Sequence, residues 1–408
     1  MSRNAWLGLC AAILSGCTNL SVWLDGPEPR EGSATLPQVL DSGGRVLSAP
    51  RVVPIFFAGD SAQSEIEQFL AALPGSSYWS ATTGEYGVGD VSIAPSVVVP
   101  DLPSTAIDDS EIEQWLAAHI DGANPAWPRR QADDIYLVIY PQTTTVTADD
   151  EAGCVDFGGY HYEGHLDSSS NNLPPSFAYV VIPACPDIGL SPTSTISHEL
   201  IEASTDPFPV SAPAFFNVDQ DHLAWAFYVA PSGPIAAGEV ADLCNTELYG
   251  AALELLLGGF PVQRSWSNAA ASARRDPCVP SPSDPYFNAA PELRDRAILA
   301  PYPGQLGYLT DGIEVPLGVS RTIEVHAFST APRASWFVGA YEPRASSDLP
   351  ATLAFTWDRQ TANDGDVLHV TITRLAEGPA GGSQMAVYST EDEPGSASGT
   401  MWPGFVAN

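Results

Sequence analysis

The residues best suited to chemistry lie at 197–207, which reads SHELIEASTDP. Side chains four residues apart share one face of a helix, so His198 and Glu202 point the same way. An imidazole and a carboxylate one turn apart can bind one zinc ion, and Glu199 beside them can act as a general base on water. The spacing therefore predicts a zinc centre with His198 and Glu202 as metal ligands and Glu199 as the catalytic residue.

Further ligands must come from outside this helix. Pro207 ends the helix, which leaves Asp206 at a turn where it can fold back toward the metal or orient His198 from behind. The segment 238–244, GEVADLC, offers Glu239 or Asp242 as the third ligand. These carboxylates complete the predicted ligand set.

The segment 158–165, which reads GGYHYEGH, contains two further histidines. It is rich in glycine and is predicted to be a flexible loop, and loops often carry active-site groups. His161 in this loop is a candidate metal ligand or hydrogen-bond donor at the edge of the site. A polar loop residue with no role in chemistry is the competing interpretation.

The helix pattern also has a purely structural interpretation. An exposed histidine and glutamate four residues apart form an ion pair that is worth a few tenths of a kcal/mol. The pattern resembles the HExxH motif of zincins with the second histidine replaced by glutamate. Because a carboxylate lowers the net charge of the site, metal binding can persist while hydrolysis weakens.

Apolar patterns predict the elements that position this helix. Continuous apolar runs indicate buried strands, and apolar residues at helical spacing indicate helices. The order indicates an α/β layer with a mixed sheet. The predicted strands are 52–57, 91–93, 97–99, 135–140 and 177–182, and the predicted helices are 64–73, 110–120 and 193–205.

The chain divides into five predicted regions. Residues 1–16 are a signal peptide, 17–48 a flexible tether rich in glycine and proline, and 49–282 the α/β domain. Residues 283–309 are rich in proline and are predicted to be a linker. Short strand-like runs separated by turn residues predict a small all-β sandwich over 310–408.

The N-terminus predicts a lipid anchor. An apolar run ends in Leu14-Ser15-Gly16-Cys17, which resembles the lipobox of bacterial lipoproteins. That resemblance implies cleavage before Cys17 and acylation of this cysteine, because several chains are needed for stable anchoring. Thr18 follows it instead of the aspartate typical of inner-membrane retention. The predicted location is the bacterial cell envelope, at the outer membrane or cell surface.

The charge of the chain limits the classes of partner that it can bind. The chain has 49 acidic residues against 16 basic ones, all arginine, so its surface repels nucleic acid. The expected partners are the membrane, through the lipid, and a protein, peptide or cell-wall substrate.

With Cys17 lipidated, four cysteines remain for disulfides, and three pairings are open. Closure of local loops favours Cys154–Cys185 and Cys244–Cys278.

Five sequence segments occur in an order that resembles the bacterial relatives of the plant EXORDIUM, or phosphate-induced, proteins. They are GYH at 159–161, FAYVVIPAC at 177–185, the His-Glu helix, ExxDxC at 239–244 and VQRSWSN at 262–268 followed by Cys278. The resemblance covers about residues 50–280 and implies a zincin-like fold. Matched to the family, the site residues are His161, His198, Glu199, Glu202, Asp206, Glu239 and Asp242.

Two functions follow from these patterns. The first is a zinc-dependent, metallopeptidase-like hydrolase anchored to a membrane. The second is a non-catalytic envelope or surface binding protein, in which the zincin-like domain is an inactive scaffold and the sandwich docks on a partner. Three tryptophans, if exposed, would supply the docking surface: Trp336, Trp357 and Trp402.

Overall fold

The structure is a computed structural model that describes residues 35–120, 124–149, 151–166, 173–185, 191–226, 229–230, 233–234, 238–244, 253–299, 308–343, 350–378, 382–391 and 399–407. The signal peptide, Cys17 and the start of the tether lie outside these residues. The described chain forms two units. Unit 1 contains residues 41–216 and 254–265, and unit 2 contains residues 35–40, 217–253 and 266–408.

Helices and strands alternate in the first half of the chain, whereas strands dominate the second. The helices are α1 (Gln63–Ala72), α2 (Ser77–Thr83), α3 (Asp109–Ile120), α4 (Pro192–Thr205), α5 (Leu223–Ala226) and α6 (Asn268–Ser272). Short 3-10 helices are Gly84–Tyr86, Gln220–His222 and Asp242–Cys244.

The strands are numbered in chain order. Those up to residue 266 are β1 (Val39–Asp41), β2 (Arg51–Phe57), β3 (Ser92–Ile93), β4 (Val97–Val99), β5 (Ala106–Asp108), β6 (Asp134–Tyr140), β7 (Thr145–Ala148), β8 (Glu151–Ala152), β9 (Tyr160–His165), β10 (Ser176–Pro183), β11 (Phe215–Val218), β12 (Val229–Ala230), β13 (Gly233–Pro234), β14 (Glu254–Leu257), β15 (Phe260–Gln263) and β16 (Ser265–Trp266). Those beyond it are β17 (Cys278–Val279), β18 (Phe287–Pro291), β19 (Asp295–Leu299), β20 (Tyr308–Glu314), β21 (Ser320–Ser329), β22 (Trp336–Tyr341), β23 (Leu353–Trp357), β24 (Thr361–Ala362), β25 (Val367–Arg374), β26 (Gly382–Thr390) and β27 (Gly399–Ala407).

Unit 1 is built around a six-stranded mixed sheet. Its order is β3-β2-β6-β10-β9, and β4 also pairs with β2. The pairs among β2, β3, β4, β6 and β10 are parallel, whereas β9 runs antiparallel to β10. The central strands are buried along nearly their whole length, as their continuous apolar sequences require. The prediction of a mixed α/β unit is confirmed.

Helix α4 carries the predicted active-site motif. It follows Ser191 with Pro192 at its first position and ends at Thr205, two residues before Pro207. Eleven of its residues are buried, so it is a core helix rather than a surface one. The hydroxyl of Thr193 donates to the carbonyl of Pro261, which ties the start of α4 to strand β15 (2.6 Å).

Helix α3 packs on the sheet with three buried apolar residues at helical spacing. Ile112, Leu116 and Ile120 are each at most 2% exposed, and they join a core that contains Tyr136 and Val138 of strand β6. The predicted pattern over 110–120 therefore marks this buried face correctly, although the helix begins one residue earlier, at Asp109.

Unit 2 contains two larger sheets. One has the order β18-β21-β25-β23, and the other has the order β19-β20-β27-β26-β22-β24. They pack as a sandwich: the rings of Phe287 on β18 and Trp336 on β22 lie 5.4 Å apart, and the Thr400 hydroxyl on β27 donates to the carbonyl of Phe287 (2.8 Å). Alternating burial along β25 is typical of such sheets.

Two predicted boundaries differ from the structure. The region 283–309 was predicted as a linker, but it contains strands β18 and β19, which are edge strands of the two sheets. Part of the predicted tether is also folded: Leu36 and Leu47 are 3% and 1% exposed, and the amide of Leu47 donates to the carbonyl of Ser204 (2.9 Å). In both regions the proline and glycine content led to a prediction of irregular structure, although short strands and packed turns are present.

The cysteine pairing is as predicted. Cys154 is bonded to Cys185 within unit 1, and Cys244 is bonded to Cys278 within unit 2. Each bridge closes a local loop, of 31 and 34 residues in sequence separation. Among the described residues, no helix has the length and apolar character needed to cross a membrane.

Candidate metal centre

Strand β9 and helix α4 bring three ionisable side chains together in unit 1. Nδ1 of His161 lies 3.7 Å from Oε2 of Glu199 and 3.7 Å from Oε2 of Glu202. The three side chains are only 6%, 7% and 4% exposed. Their ligand atoms all lie within 4.8 Å of one another. His161 therefore belongs to the centre of the site and not to its edge.

His198 joins this cluster from the same helix. Its Nε2 atom lies 3.1 Å from Oε2 of Glu202, as the spacing of one turn predicts. Its side chain is 12% exposed. Because the pair is enclosed, the interpretation as an exposed surface ion pair is wrong. Glu202 is thus approached by two imidazoles, one from β9 and one from α4.

The cluster is strongly acidic, and this raises the pKa of His161. Burial alone would lower the pKa of His161, but the close contact with Glu199 and the negative charges of Glu202, Glu199 and Asp206 outweigh burial. In the protein without a metal, the imidazolium of His161 can thus offset part of the negative charge. A divalent cation would offset more of it.

Asp206 is the C-cap residue of α4. Its amide donates to the carbonyl of Glu202 (2.6 Å), and its Oδ1 accepts from the amide of Ala214 (2.6 Å). The residue is fully buried. Asp206 is held in the turn that follows the helix, and its charge acts on His161 from there.

Glu163 adds a further buried carboxylate beside the cluster. It accepts hydrogen bonds from the amide and the hydroxyl of Ser211 (3.0 and 2.8 Å). Burial raises the pKa of Glu163, the bonds from Ser211 lower it, and the charge of Asp206 raises it further. Asp206 therefore interacts electrostatically with both His161 and Glu163.

The two remaining predicted ligands belong to unit 2. The amide of Glu239 lies 3.4 Å from Oδ2 of Asp242, which begins the 3-10 helix Asp242–Cys244. The bridge between Cys244 and Cys278 holds this helix. Their assignment as metal ligands stays a prediction. Within unit 1, His161 is grouped with Glu199 and Glu202, and His198 contacts Glu202.

The donor atoms of this cluster are of kinds that zinc accepts. Zinc takes imidazole nitrogen and carboxylate oxygen at about 2.0–2.2 Å, so the ligand atoms around a tetrahedral ion lie about 3.4 Å apart. The distances of 3.1 and 3.7 Å from Glu202 to the two histidines bracket that value. Two neutral imidazoles and one carboxylate are an accepted ligand set for zinc.

The opposite side of β9 fixes the strand that carries His161. The hydroxyls of Tyr160 on β9 and Tyr179 on β10 both donate to Oδ1 of Asp109 (2.6 and 2.7 Å). Burial raises the pKa of Asp109, and these two hydrogen bonds oppose the rise. Because alternate residues of a strand face opposite sides, Tyr160 can be anchored at α3 while His161 faces α4.

A glycine allows β9 to approach α4 at the site. A Cβ atom added to Gly159 would lie 2.7 Å from the side chain of Ile182, 2.9 Å from that of Thr195 and 3.3 Å from Cγ of Glu199. A side chain at this position would push the start of β9 away from the helix. The GYH segment thus supplies both the glycine at the close contact, Gly159, and the candidate ligand, His161.

Sequence reasoning missed strand β9 and the contact of Gln263 with His198. The segment 158–165 was predicted as a flexible loop, but six of its residues form β9, paired with β10 from Tyr160 to His165. Alternation of aromatic and polar residues in YHYEGH was the available signal. Oε1 of Gln263 lies 3.1 Å from Nδ1 of His198, a contact across 65 residues that no local pattern indicates.

A further group of possible ligands lies in unit 2. Glu292, Glu324 and His326 offer atoms within 4.8 Å of one another, but all three are partly exposed and Arg294 pairs with Glu292. Such groups are common on acidic surfaces without an ion. We assign it no role.

No family model matches this chain, and no curated protein matches it. The resemblance to the EXORDIUM relatives therefore rests on the sequence segments alone.

Proposed function

We propose that unit 1 is a zinc-dependent, metallopeptidase-like hydrolase. His161, His198 and Glu202 would hold the ion, and Glu199 would exchange the proton. The observation that carries this proposal is the meeting of His161 from β9 with Glu199 and Glu202 from α4 in a buried cluster. A histidine from a second element adds a ligand that the helix alone cannot supply.

Each residue has a role that follows from its position. Bound zinc would act as a Lewis acid on a carbonyl group and on water. Glu199 lies in the next helical position after His198 and beside His161, so its carboxylate can take a proton from water and pass it to the leaving amine. The negative charge of Asp206 acts on His161, and a negative charge here favours the retention of a divalent cation.

The charge balance supports a cation in this position. Glu199, Glu202 and Asp206 are all buried, and the charges of all three act on His161. Buried carboxylates are normally paired or coordinate a metal, because an uncompensated buried charge is costly. A divalent ion is the simplest compensation for this group.

The direct test is elemental analysis of the full chain after gentle purification. We expect about one equivalent of zinc, which is the stoichiometry of a single catalytic site. Glu202→Gln should lose it, because that substitution removes the carboxylate shared by both histidines. Glu65→Gln, at an exposed position on α1, is the matched control and should retain it. A wild-type protein without a divalent metal would refute the proposal.

We extend the proposal to the location of the protein. The lipobox-like segment at residues 14–17 supports an anchor at Cys17, which would hold the hydrolase in the cell envelope with protein or peptide substrates. The alternative of a binding protein loses part of its motivation, since Trp336 and Trp402 are 1% and 3% exposed. Buried tryptophans stabilise the sandwich and offer no docking surface.

A further inference from the structure

We propose that the end of the predicted tether, residues 35–39, is a strap that His222 fastens to unit 2 and that loosens as the pH rises. Two apolar side chains of the strap, Leu36 and Val39, are only 3% and 2% exposed. Their burial holds the strap in place, but its backbone polar groups also need partners. The inference concerns unit 2 and does not depend on the proposed hydrolase.

Side chains of unit 2 bind the strap through its backbone. The amide of Val39 donates to the side chain of Asn268 (2.8 Å), and its carbonyl accepts from the same side chain (2.7 Å). The indole of Trp266 donates to the carbonyl of Pro37 (3.2 Å). Each of these bonds is a separate point of attachment, so one end of the strap can loosen while the other stays bound.

Asp219 and His222 attach the start of the strap. Oδ2 of Asp219 accepts from the amide of Gln38 (2.7 Å), and the amide of Asp219 donates to the carbonyl of Gln38 (2.8 Å). Oδ1 of the same carboxylate lies 2.7 Å from Nδ1 of His222. Nε2 of this ring lies 2.7 Å from the carbonyl oxygen of Thr35. The ring of His222 thus joins the carboxylate that holds Gln38 to the backbone of Thr35.

Both contacts of the ring need a proton. A carboxylate and a backbone carbonyl can only accept hydrogen bonds, so both ring nitrogens must donate, and only the imidazolium has two N–H groups. A neutral His222 would keep the proton on Nδ1, because the charged Asp219 is the stronger acceptor. The lone pair of Nε2 would then face the oxygen of Thr35 at 2.7 Å. Two acceptors at this distance repel each other, so loss of the proton opens the attachment at Thr35.

The charged groups around His222 favour the imidazolium. Its side chain is 14% exposed, and burial alone would lower its pKa. The hydrogen bond and the charge of Asp219, the backbone acceptor and the charge of Asp311 on β20 raise the pKa overall. Arg296 on β19 donates to both Asp311 and Asp221. Because Arg296 offsets these two carboxylates, the charge that acts most directly on His222 is that of Asp219.

The direction of the switch follows from these shifts. The pKa of His222 is raised in the folded protein, so the attachment is complete in acid and is lost as the pH rises through the raised value. The pKa of Asp219 is lowered, so its carboxylate stays charged until the pH falls below 3.8. With Cys17 acylated as predicted, each residue freed from the strap would lengthen the tether by about 3.4 Å at most.

Hydrogen exchange of the full chain, combined with NMR of the His222 ring, tests the strap. The ring signal gives the pH at which His222 loses its proton, and exchange of the Gln38 amide is then measured below and above that pH. Rates are converted to protection factors, which removes the intrinsic pH dependence of exchange. We expect the protection of Gln38 to fall by about 10–100-fold above the midpoint, because a hydrogen bond from a charged donor is lost and the strap opens more often.

Two substitutions serve as controls. His222→Asn carries no charge at any pH, so the protection of Gln38 should be low on both sides of the wild-type midpoint. His369 also contacts an aspartate in unit 2, but its side chain is 48% exposed, and His369→Asn should keep the wild-type pH dependence.

The wild-type profile decides the outcome even if His222→Asn fails to fold. Equal protection of Gln38 on both sides of the midpoint would overturn the inference. A His222 ring that keeps its charge throughout the pH range in which the protein is folded would overturn it as well. A fall of equal size in His222→Asn would show that another group causes the loosening.

Discussion

Nε2 of His198 lies 3.1 Å from Oε2 of Glu202, and both side chains are almost fully enclosed. A surface ion pair at this spacing would contribute little to stability and would be screened by salt. Because both groups have lost most of their contact with water, the argument for an exposed pair does not apply to them. Together with His161 from β9, the pair forms a site whose geometry is suited to a cation.

The two histidines of β9 offer a matched test of the site. His161→Ala should weaken zinc binding by more than the roughly 10–100-fold expected from loss of an outer contact, because it removes a ligand. His165→Ala lies on the same strand, but its side chain is 50% exposed, and zinc binding should be unchanged. Chelator competition measures both. Equal affinity of the two variants would argue against His161 as a ligand.

Glu199 should be needed for turnover but not for metal retention. Glu199→Gln keeps the size of the side chain and removes its ability to take a proton, so hydrolysis of an unfolded protein substrate should fall by about 10²–10⁴-fold. Zinc content, measured on the same sample, should stay at the wild-type level. Loss of zinc in this variant would show that Glu199 is a ligand, and equal rates would show that any cleavage comes from a contaminant.

His222 in unit 2 should make stability depend on pH. Its ring lies 2.7 Å from Oδ1 of Asp219 and 2.7 Å from the carbonyl of Thr35, so both nitrogens must carry protons to donate. Burial alone would lower the pKa of His222, but these acceptors raise it overall, and the pKa of Asp219 is lowered against the effect of burial.

The sign of the pH dependence follows from these shifts. The contribution of His222 is complete below its unfolded pKa of about 6.5 and is lost as the pH rises through the higher folded value. The contribution of Asp219 is present above about 3.8 and is lost on acidification. His222→Asn should therefore cost about 1–3 kcal/mol at pH 5.5 and less at pH 8.5. Thermal unfolding checks this, and an equal cost at both pH values would contradict it.

Cys17 should determine where the protein is found in the cell. Cys17→Ser removes the thiol that would be acylated, so the protein should lose incorporation of labelled palmitate and leave the membrane fraction. The unchanged chain, expressed in the same bacterial host, is the control. A membrane-bound Cys17→Ser variant, or an unlabelled wild type, would count against the lipid anchor.

Local patterns in the sequence predicted the elements around the site. The apolar run at 135–140 became β6, and the helical spacing at 193–205 became α4, because continuous burial and helical periodicity are local properties. The pairing of Cys244 with Cys278 was also favoured by local loop closure and is confirmed. These features need no knowledge of distant residues.

Long-range pairing could not be read from the sequence in the same way. Strand β9 joins the site because it pairs with β10, although Gly158 and Gly159 made its segment look flexible. Gln263 meets His198 only because β15 packs beside α4. Both contacts depend on tertiary packing, so residue type alone indicated neither the membership of His161 in the cluster nor the contact of Gln263 with His198.

The strands within 283–309 decide how unit 2 can be studied in isolation. A fragment that began at residue 310, where the sequence had suggested a separate sandwich, would lack β18 and β19 and part of β20. The hydrogen-bonding edges of β21 and of the remainder of β20 would then be open, since β18 and β19 pair with them. Open edges recruit other chains. Binding by such a fragment would therefore not distinguish recognition of an envelope partner from self-association of truncated sheets.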